Sequence, residues 1–333
     1  MESTINKTKG FAIRDLASRY AIYLVLFALF IGIGLIDKNF FSINNVRNIL
    51  IIASVRVIIA LGEGGVLITH GVDLSAGRVV GLTACIAASM LQRPDYAYKM
   101  FENLPQLPLW IPILLAVCVG LVIGILNGVT IAFLKLPPFI ATLGTMVIAY
   151  GIACIYTNAQ PIGGLRDDFT RLASGSVISI PNLIIIALIV ACIIWFILNK
   201  TPFGKYIYAI GGNPNAAMVS GVNINRTLIS VYALAGALYG LAGALLAART
   251  GGATNNYGLS YELDAIAACT IGGVSQSGGI GTVPGIITGV LIFEVMNNGL
   301  VILGVSAYWQ QVVKGIIIIA TVAFDIRKYI AKR

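Results

Sequence analysis

Apolar stretches long enough to cross a bilayer recur along the whole chain, and they constrain its fold more than any other feature. A helix needs about 20 apolar residues to span roughly 30 Å of hydrocarbon. Ten candidates stand out, at residues 20–36, 48–68, 77–92, 109–133, 139–156, 181–199, 227–248, 263–274, 283–303 and 308–325. The second, third and eighth are the weaker ones. The second carries Arg56 and Glu63 and is interrupted by Gly62-Glu63-Gly64-Gly65, and the eighth is too short to cross alone. Such pieces are tolerated where protein surrounds them or where they line a wet cavity. Pro112, Pro138, Pro181 and Pro284 fall near the starts of spans, where a missing N–H costs nothing. Polar loops are expected at 93–108, 157–180, 200–226 and 249–262.

Composition agrees with lipid as the solvent. Of the 333 residues, 58% are hydrophobic and 11% are charged. Soluble domains carry about 25% charged residues, and so few charges would leave large apolar patches facing water. A soluble enzyme, a nucleic-acid-binding domain and a disordered tail are excluded. An all-α polytopic membrane protein of about ten transmembrane helices, some broken or short, is expected.

The net charge of +9 orients it. With the N-terminus in the cytoplasm, thirteen Lys and Arg fall inside and seven outside, with Arg56 and Lys314 within spans. That bias favours cytoplasmic placement of both termini. The chain then divides into a cytoplasmic segment 1–19, a membrane domain 20–326 with a cytoplasmic loop at 200–226, and a basic cytoplasmic tail 327–333. No dense basic run with interleaved aromatics exists, so nucleic acid is not an expected partner. The first apolar run carries no obvious cleavage site and is expected to remain in the mature chain.

Cys85, Cys118, Cys154, Cys192 and Cys269 sit well apart in apolar stretches and read as small core hydrophobes. His70 is the only histidine, so no metal site is expected.

Residues 120–133 match residues 281–294 at seven of fourteen positions, and both carry GxxxGxxxG: Gly120, Gly124, Gly128 and Gly281, Gly285, Gly289. In a ten-span topology these stretches run in opposite directions, as an inverted repeat requires. A rival match of 76–88 with 235–247 implies parallel repeats. In either case the glycines let helices approach closely, within one chain or between two.

Charges inside lipid need partners or a purpose. Arg56 and Glu63 share a helix face about 10 Å apart and cannot pair directly unless the helix breaks. A gate or translocation route and a tether to other spans are both open. Asp73, Ser75 and Arg78 lie in the break Gly71–Arg78, where Asp73 or Ser75 would cap the next helix or the loop would face a cytoplasmic partner. Asn127, Glu294, Asn297 and Asn298 would bridge helices or line a path for a hydroxylated solute. Lys314 would snorkel or pair with Glu294, and Glu262 and Asp264 would mark the outer water boundary of the eighth span.

The loop 200–226 is the most informative. Gly211-Gly212-Asn213-Pro214 makes a turn with Asn213 as N-cap and Pro214 first in the helix. A short helix follows from Asn215 to Ser220, and Gly221 stops it. A capped helix held in the cytoplasm suits docking to a soluble subunit; the alternative, a helix resting on lipid, would want a larger apolar face. No GxxxxGK[ST], HExxH or GxSxG occurs, so ATP-driven transport would need another chain to bind ATP.

Four segments carry a resemblance: THGVDLSAGR (69–78), PPFIATLGTM (137–146), FGKYIYAIGGNPNAAMVSGVN (203–223) and ATNNYGLSYELDAIAACTIGGVSQSGGIGT (253–282). With them the chain resembles the membrane permease subunits of bacterial ABC importers for monosaccharides, the ribose/galactoside type. SVRVIIALG (54–62), LSAGR and the ATNN…YELDAIAAC run look most similar to the galactose/methyl-galactoside branch. The resemblance implies a bacterial inner-membrane location and a homodimeric pore. It also implies an ABC ATP-binding subunit that holds ATP and Mg, with no cofactor on this chain, and a periplasmic sugar-binding protein that delivers a monosaccharide. Gly211, Gly212, Asn213, Pro214, Ala216, Ala217, Ser220 and Gly221 match the family's cytoplasmic coupling region, through which ATP-driven motion would produce alternating access. Ribose or another monosaccharide is the alternative cargo. An ion-coupled secondary transporter would use Glu63 or Glu294 as its coupling acid, and a membrane-embedded enzyme lacks a catalytic constellation.

Overall fold

The computed structural model describes residues 23–330, with side chains through residue 323. The expected segment 1–19, the first residues of the first span and residues 331–333 of the basic tail lie outside the described residues. The helices in chain order are α1 (Tyr23–Ile36), α2 (Ile43–Ile68), α3 (Ala76–Met90), α4 (Trp110–Ala132), α5 (Pro138–Thr157), α6 (Asp167–Ser174) and α7 (Asn182–Lys200). After them come α8 (Pro202–Gly212), α9 (Pro214–Val219), α10 (Ile224–Thr250), α11 (Tyr261–Ile271), α12 (Val283–Ile302) and α13 (Ala307–Ile330). Two short antiparallel strands, Ser176–Val177 and Ile180–Pro181, form a small hairpin.

Each of the ten apolar stretches overlaps a helix among the described residues. Caps extend two of them beyond the apolar pattern: Ser42 Oγ accepts from Asn45 N at 3.3 Å ahead of α2, and Asn223 Oδ1 accepts from Arg226 N at 3.0 Å ahead of α10. Polar residues interrupt both first turns, Asn44 and Asn45 in α2 and Asn225 and Arg226 in α10, so hydropathy alone starts these helices too late. Among the described residues six helices, α2, α4, α5, α7, α10 and α12, are long and apolar enough to cross a membrane. The chain is an all-α, multi-pass membrane protein. At 15 and 11 residues, α3 and α11 are too short to cross unaided.

The expected loops hold more structure than a polar run suggests. Within 157–180, α6 buries Phe169 and Ala173 four residues apart, one amphipathic face, and the hairpin follows. Within 200–226, α8 precedes the short helix. Its signal is Thr201-Pro202: Thr201 Oγ1 accepts from Gly204 N at 3.3 Å, and the proline fills the first helical position.

The central pair is α2 and α10. In their most apolar windows 72% and 61% of residues are buried, against 22% in α5. They run antiparallel: Gly62 lies against Ala235 and Tyr239, and Gly71 lies against Tyr232. α4 runs antiparallel to α10, with Gly120 against Gly236 and Gly240, Gly124 against Tyr232, and Gly128 against Ile229. α12 runs antiparallel to α2, through Asn45 to Asn298, Arg56 to Glu294 and Gly64 to Ile286. The matched stretches 120–133 and 281–294 therefore lie on oppositely directed helices. Contacts repeat with roles exchanged: α3 packs on α10, α4 and α5, while α11 packs on α2, α12 and α13.

Burial against lipid brings no hydrophobic gain, so close backbone approach and polar bonds hold such helices together. A Cβ on Gly120 would come within 2.1 Å of Gly236 O, and one on Gly289 within 1.9 Å of Ala268 O. These glycine faces pack against helices of the same chain. Gly281 is a correction: it precedes α12 and packs on Ile68 and Val274, so it is not part of the helix face.

The cysteine expectation holds for Cys85 and Cys269, which are buried. Cys118 and Cys192 are exposed on the outer faces of α4 and α7, and Cys154 is half-buried, so these three are not core residues. An apolar pattern marks a residue as hidden from water, and lipid hides it as well as protein does.

Candidate functional site

A buried polar network forms where the chain breaks between α2 and α3. Glu63 and Asp73 are 0% and 1% exposed. Glu63 Oε1 accepts from Asp73 N at 3.1 Å, and Oε2 accepts from Tyr239 OH at 2.9 Å. Asp73 Oδ1 accepts from Ser75 N at 2.9 Å and from Ser75 Oγ at 2.5 Å. Asn127 Nδ2 donates to Ser75 Oγ at 3.0 Å, and Asn127 Oδ1 accepts from Thr145 Oγ1 at 2.6 Å. Leu74 N donates to Thr142 Oγ1 at 3.1 Å. One network thus joins α2, the break, α4, α5 and α10. A broken helix at membrane depth exposes backbone groups that lipid cannot satisfy, and these side chains satisfy them.

Four of the residues singled out by sequence meet here: Glu63, Asp73, Ser75 and Asn127. Two expectations change. Asp73 and Ser75 do not present a cytoplasmic loop surface; both are interior because their hydrogen-bonding atoms serve the break. Ser75 stands at the N-cap position of α3 without a side-chain cap bond, and Asp73 takes up the Ser75 N–H instead.

A second cluster gathers four charges from four helices. Arg56 Nη1 lies 2.5 Å from Glu294 Oε1 and 3.3 Å from Asp264 Oδ2. Lys314 Nζ lies 3.2 Å from Asp264 Oδ2. Arg56 also stands over the Tyr261 ring at 5.3 Å, and Lys314 over Phe293 at 5.6 Å. Two cations and two anions from α2, α11, α12 and α13 balance to zero. Arg56 and Glu63 share a helix but find separate partners. Lys314 pairs with Asp264 rather than Glu294. Asp264 and Glu262, 7% and 8% exposed, do not mark a water boundary. Asp264 is held inside by two cations, and Glu262 sits against Gly77 at the positive end of α3.

Asn298 Oδ1 accepts from Asn45 Nδ2 at 2.9 Å, which ties α12 to the start of α2. Neither polar side-chain atom of Asn297 has a hydrogen-bond partner among the described residues.

The third element is α8–α9. Asn213 Oδ1 accepts from Ala216 N at 3.0 Å, Pro214 opens α9, and Gly221 follows with φ of 87°. Gly212, Asn213, Pro214, Ala216, Ser220 and Gly221 are exposed, and Ala217 and Gly211 are buried. Gly211 leaves no space for a side chain: a Cβ would stand 1.8 Å from Ile68 O and 2.4 Å from Gly279 N. Gly279 N itself donates to Ile68 O at 2.8 Å, and Tyr208 OH donates to Gly281 O at 2.9 Å. The exposed helix α9 therefore begins three residues after Gly211, which sits in a backbone junction between the end of α2 and the 272–282 loop.

Residues 45–322 match the family described as the branched-chain amino acid transport system / permease component. The chain belongs to this permease family. Among curated relatives of the permease, the galactose/methyl galactoside import permease protein MglC of Haemophilus influenzae is 49% identical over 99% of this chain and 100% of its own. The protein of the same name from Escherichia coli is 50% identical over 94% and 95%. The ribose import permease protein RbsC of Haemophilus influenzae is 39% identical over 96% and 97%. No solved structure matches the permease.

Proposed function

We propose that this chain is the permease subunit of an ATP-driven importer of galactose and methyl galactosides in the bacterial inner membrane. The carrying observation is identity near one half with two galactose/methyl galactoside permeases along almost their whole length, against 39% with a ribose permease. In this proposal ten helices cross or enter the bilayer, both termini are cytoplasmic, and α2–α5 and α10–α13 form inverted repeats. A second copy completes the pore, an ABC ATP-binding subunit supplies energy, and a periplasmic binding protein delivers the sugar.

Gly211, Gly212, Asn213, Pro214, Ala216, Ala217, Ser220 and Gly221 form the docking knob for the ATP-binding subunit. The fixed contacts of Gly211 with Ile68 and Gly279 pass its displacement to the end of α2 and the 272–282 loop. The 69–75 break continues that line to α5 through Thr142, and Asn127 adds Thr145. In this scheme Arg56, Glu63, Asn127 and Glu294 tether helices rather than line the path, because protein groups engage their polar atoms.

The test is uptake by the complete complex in proteoliposomes, with galactose and ribose competing. ATP-dependent galactose uptake that ribose does not displace is expected. Preferential displacement by ribose would move the cargo to the ribose class. Uptake driven by a proton or sodium gradient without ATP would overturn the ATP-driven scheme.

A further inference from the structure

A group of half-exposed polar side chains lies where α3, α5 and the 251–260 segment meet, outside the network and the charge cluster. Arg78, in the first turn of α3, stacks its guanidinium 4.4 Å from the centre of the Tyr150 ring. Its Nη1 donates to Asn255 O at a long 3.4 Å. Asn255 Nδ2 reaches Cys154 Sγ at 3.1 Å. Arg78 forms no ion pair within 4.0 Å with any described residue, and the buried carboxylate of Glu262 acts on it from farther off.

Depth makes this unusual. The break after α2 turns back as far as Glu63, while the segment after the antiparallel α10 turns back from the other end of the bundle. The two meet at Gly77 and Gly258, where a Cβ on either glycine would stand about 2 Å from the other's carbonyl oxygen. Arg78 is the next residue, so it stands between the two ends of the bundle. A guanidinium carries five N–H donors, and Asn255 O engages one nitrogen here. Intramembrane charge is costly and is found facing water or the bundle interior. Here the surface is half-open, and the cation–π contact holds the fork without neutralising it.

We propose that Arg78, Tyr150 and Asn255 form a contact for the hydroxyls of the transported sugar on a water-filled translocation route. This rests on the sugar-importer proposal and adds the residues that touch the cargo. A planar fork of donors beside an amide and a phenol matches adjacent hydroxyls on a pyranose ring. Such a contact is weak enough for release, which a conduit requires.

The protein carries its own probes. Cys154 belongs to this group, and Cys118 and Cys192 face outward on α4 and α7. The assembled wild-type transporter in membranes is treated with 2-sulfonatoethyl methanethiosulfonate, which is charged and reacts with thiolate in water. Modification of Cys154 with Cys118 and Cys192 left untouched is expected. In parallel, Arg78→Gln is expected to lower galactose uptake at least tenfold while ATP hydrolysis by the same complex stays within twofold, and Arg78→Lys restores part of the uptake. An unmodified Cys154, labelling of all three cysteines alike, unchanged uptake in Arg78→Gln, or a parallel fall of uptake and hydrolysis would each overturn the contact. If wild-type complex fails to import galactose with ATP, the importer proposal itself fails; if it imports and the cluster results are negative, only the contact is lost.

Discussion

Replacing Asp264 with Asn tests the four-charge cluster most directly. Asp264 is bound by both Arg56 and Lys314, whereas Glu294 remains to Arg56 alone. Asp264→Asn therefore leaves Lys314 without its carboxylate and the cluster at a net charge of +1. Breaking a buried pair by removing one partner costs about 3–5 kcal/mol, mostly the desolvation of the charge left behind. A loss of that size lowers a melting temperature by on the order of 10 °C. Lys314→Met alone produces the mirror imbalance at −1. The double variant restores neutrality and keeps Arg56 with Glu294, so it should be more stable than the sum of the single losses by about 2 kcal/mol. The assay is thermal unfolding of the purified permease in detergent, read as loss of the monodisperse peak, for wild type, both single variants and the double. Strict additivity of the two single effects would refute the electrostatic argument, and so would a stable Asp264→Asn.

Gly124→Ala would place a Cβ 2.1 Å from Tyr232 O, so α4 and α10 must part at a cost of about 1–3 kcal/mol, whereas Gly151→Ala, with nothing within 4 Å, should melt like wild type. Thr145→Val leaves the Asn127 amide oxygen short of its donor and should destabilise by about 1–3 kcal/mol, with Thr145→Ser close to wild type in the same melting assay. Asn213→Ala removes the α9 cap, worth about 0.5–2 kcal/mol locally, and should lower sugar uptake per ATP hydrolysed while expression is unchanged; wild-type stoichiometry in that variant would argue against docking at α9.

What sequence made legible is whatever local chemistry decides. The α9 cap is readable because Asn213, Pro214, Ala216 and Gly221 settle it among themselves. Helix positions follow from apolar runs, and the glycine faces of α4 and α12 follow from spacing four residues apart. The partners of buried charges are not readable in this way. Glu63 finds Tyr239 across 176 positions and Asn45 finds Asn298 across 253. No pattern near Glu63 distinguishes a tether from a gate. Burial of Asp73 was hidden for a related reason: GVDLSAG looks like an exposed turn, and only the fold shows that the turn is folded back into the bundle. Lys314 could reach either of two carboxylates by sequence, and the position of α11 between α2 and α13 decided for Asp264.

The partners of Arg56 also impose an order on the protein's birth. Asp264, Glu294 and Lys314 leave the ribosome more than about 200 residues after Arg56, an interval on the order of 10–40 s at ordinary elongation rates. Throughout that wait a bare guanidinium has no native counterion. The nascent chain must shelter it in the translocon or at the headgroups, and α2 can settle into its final depth only once the last third of the polypeptide has been made. A message cut short after α10 would thus yield a product that quality control can recognise by the unanswered charge of Arg56.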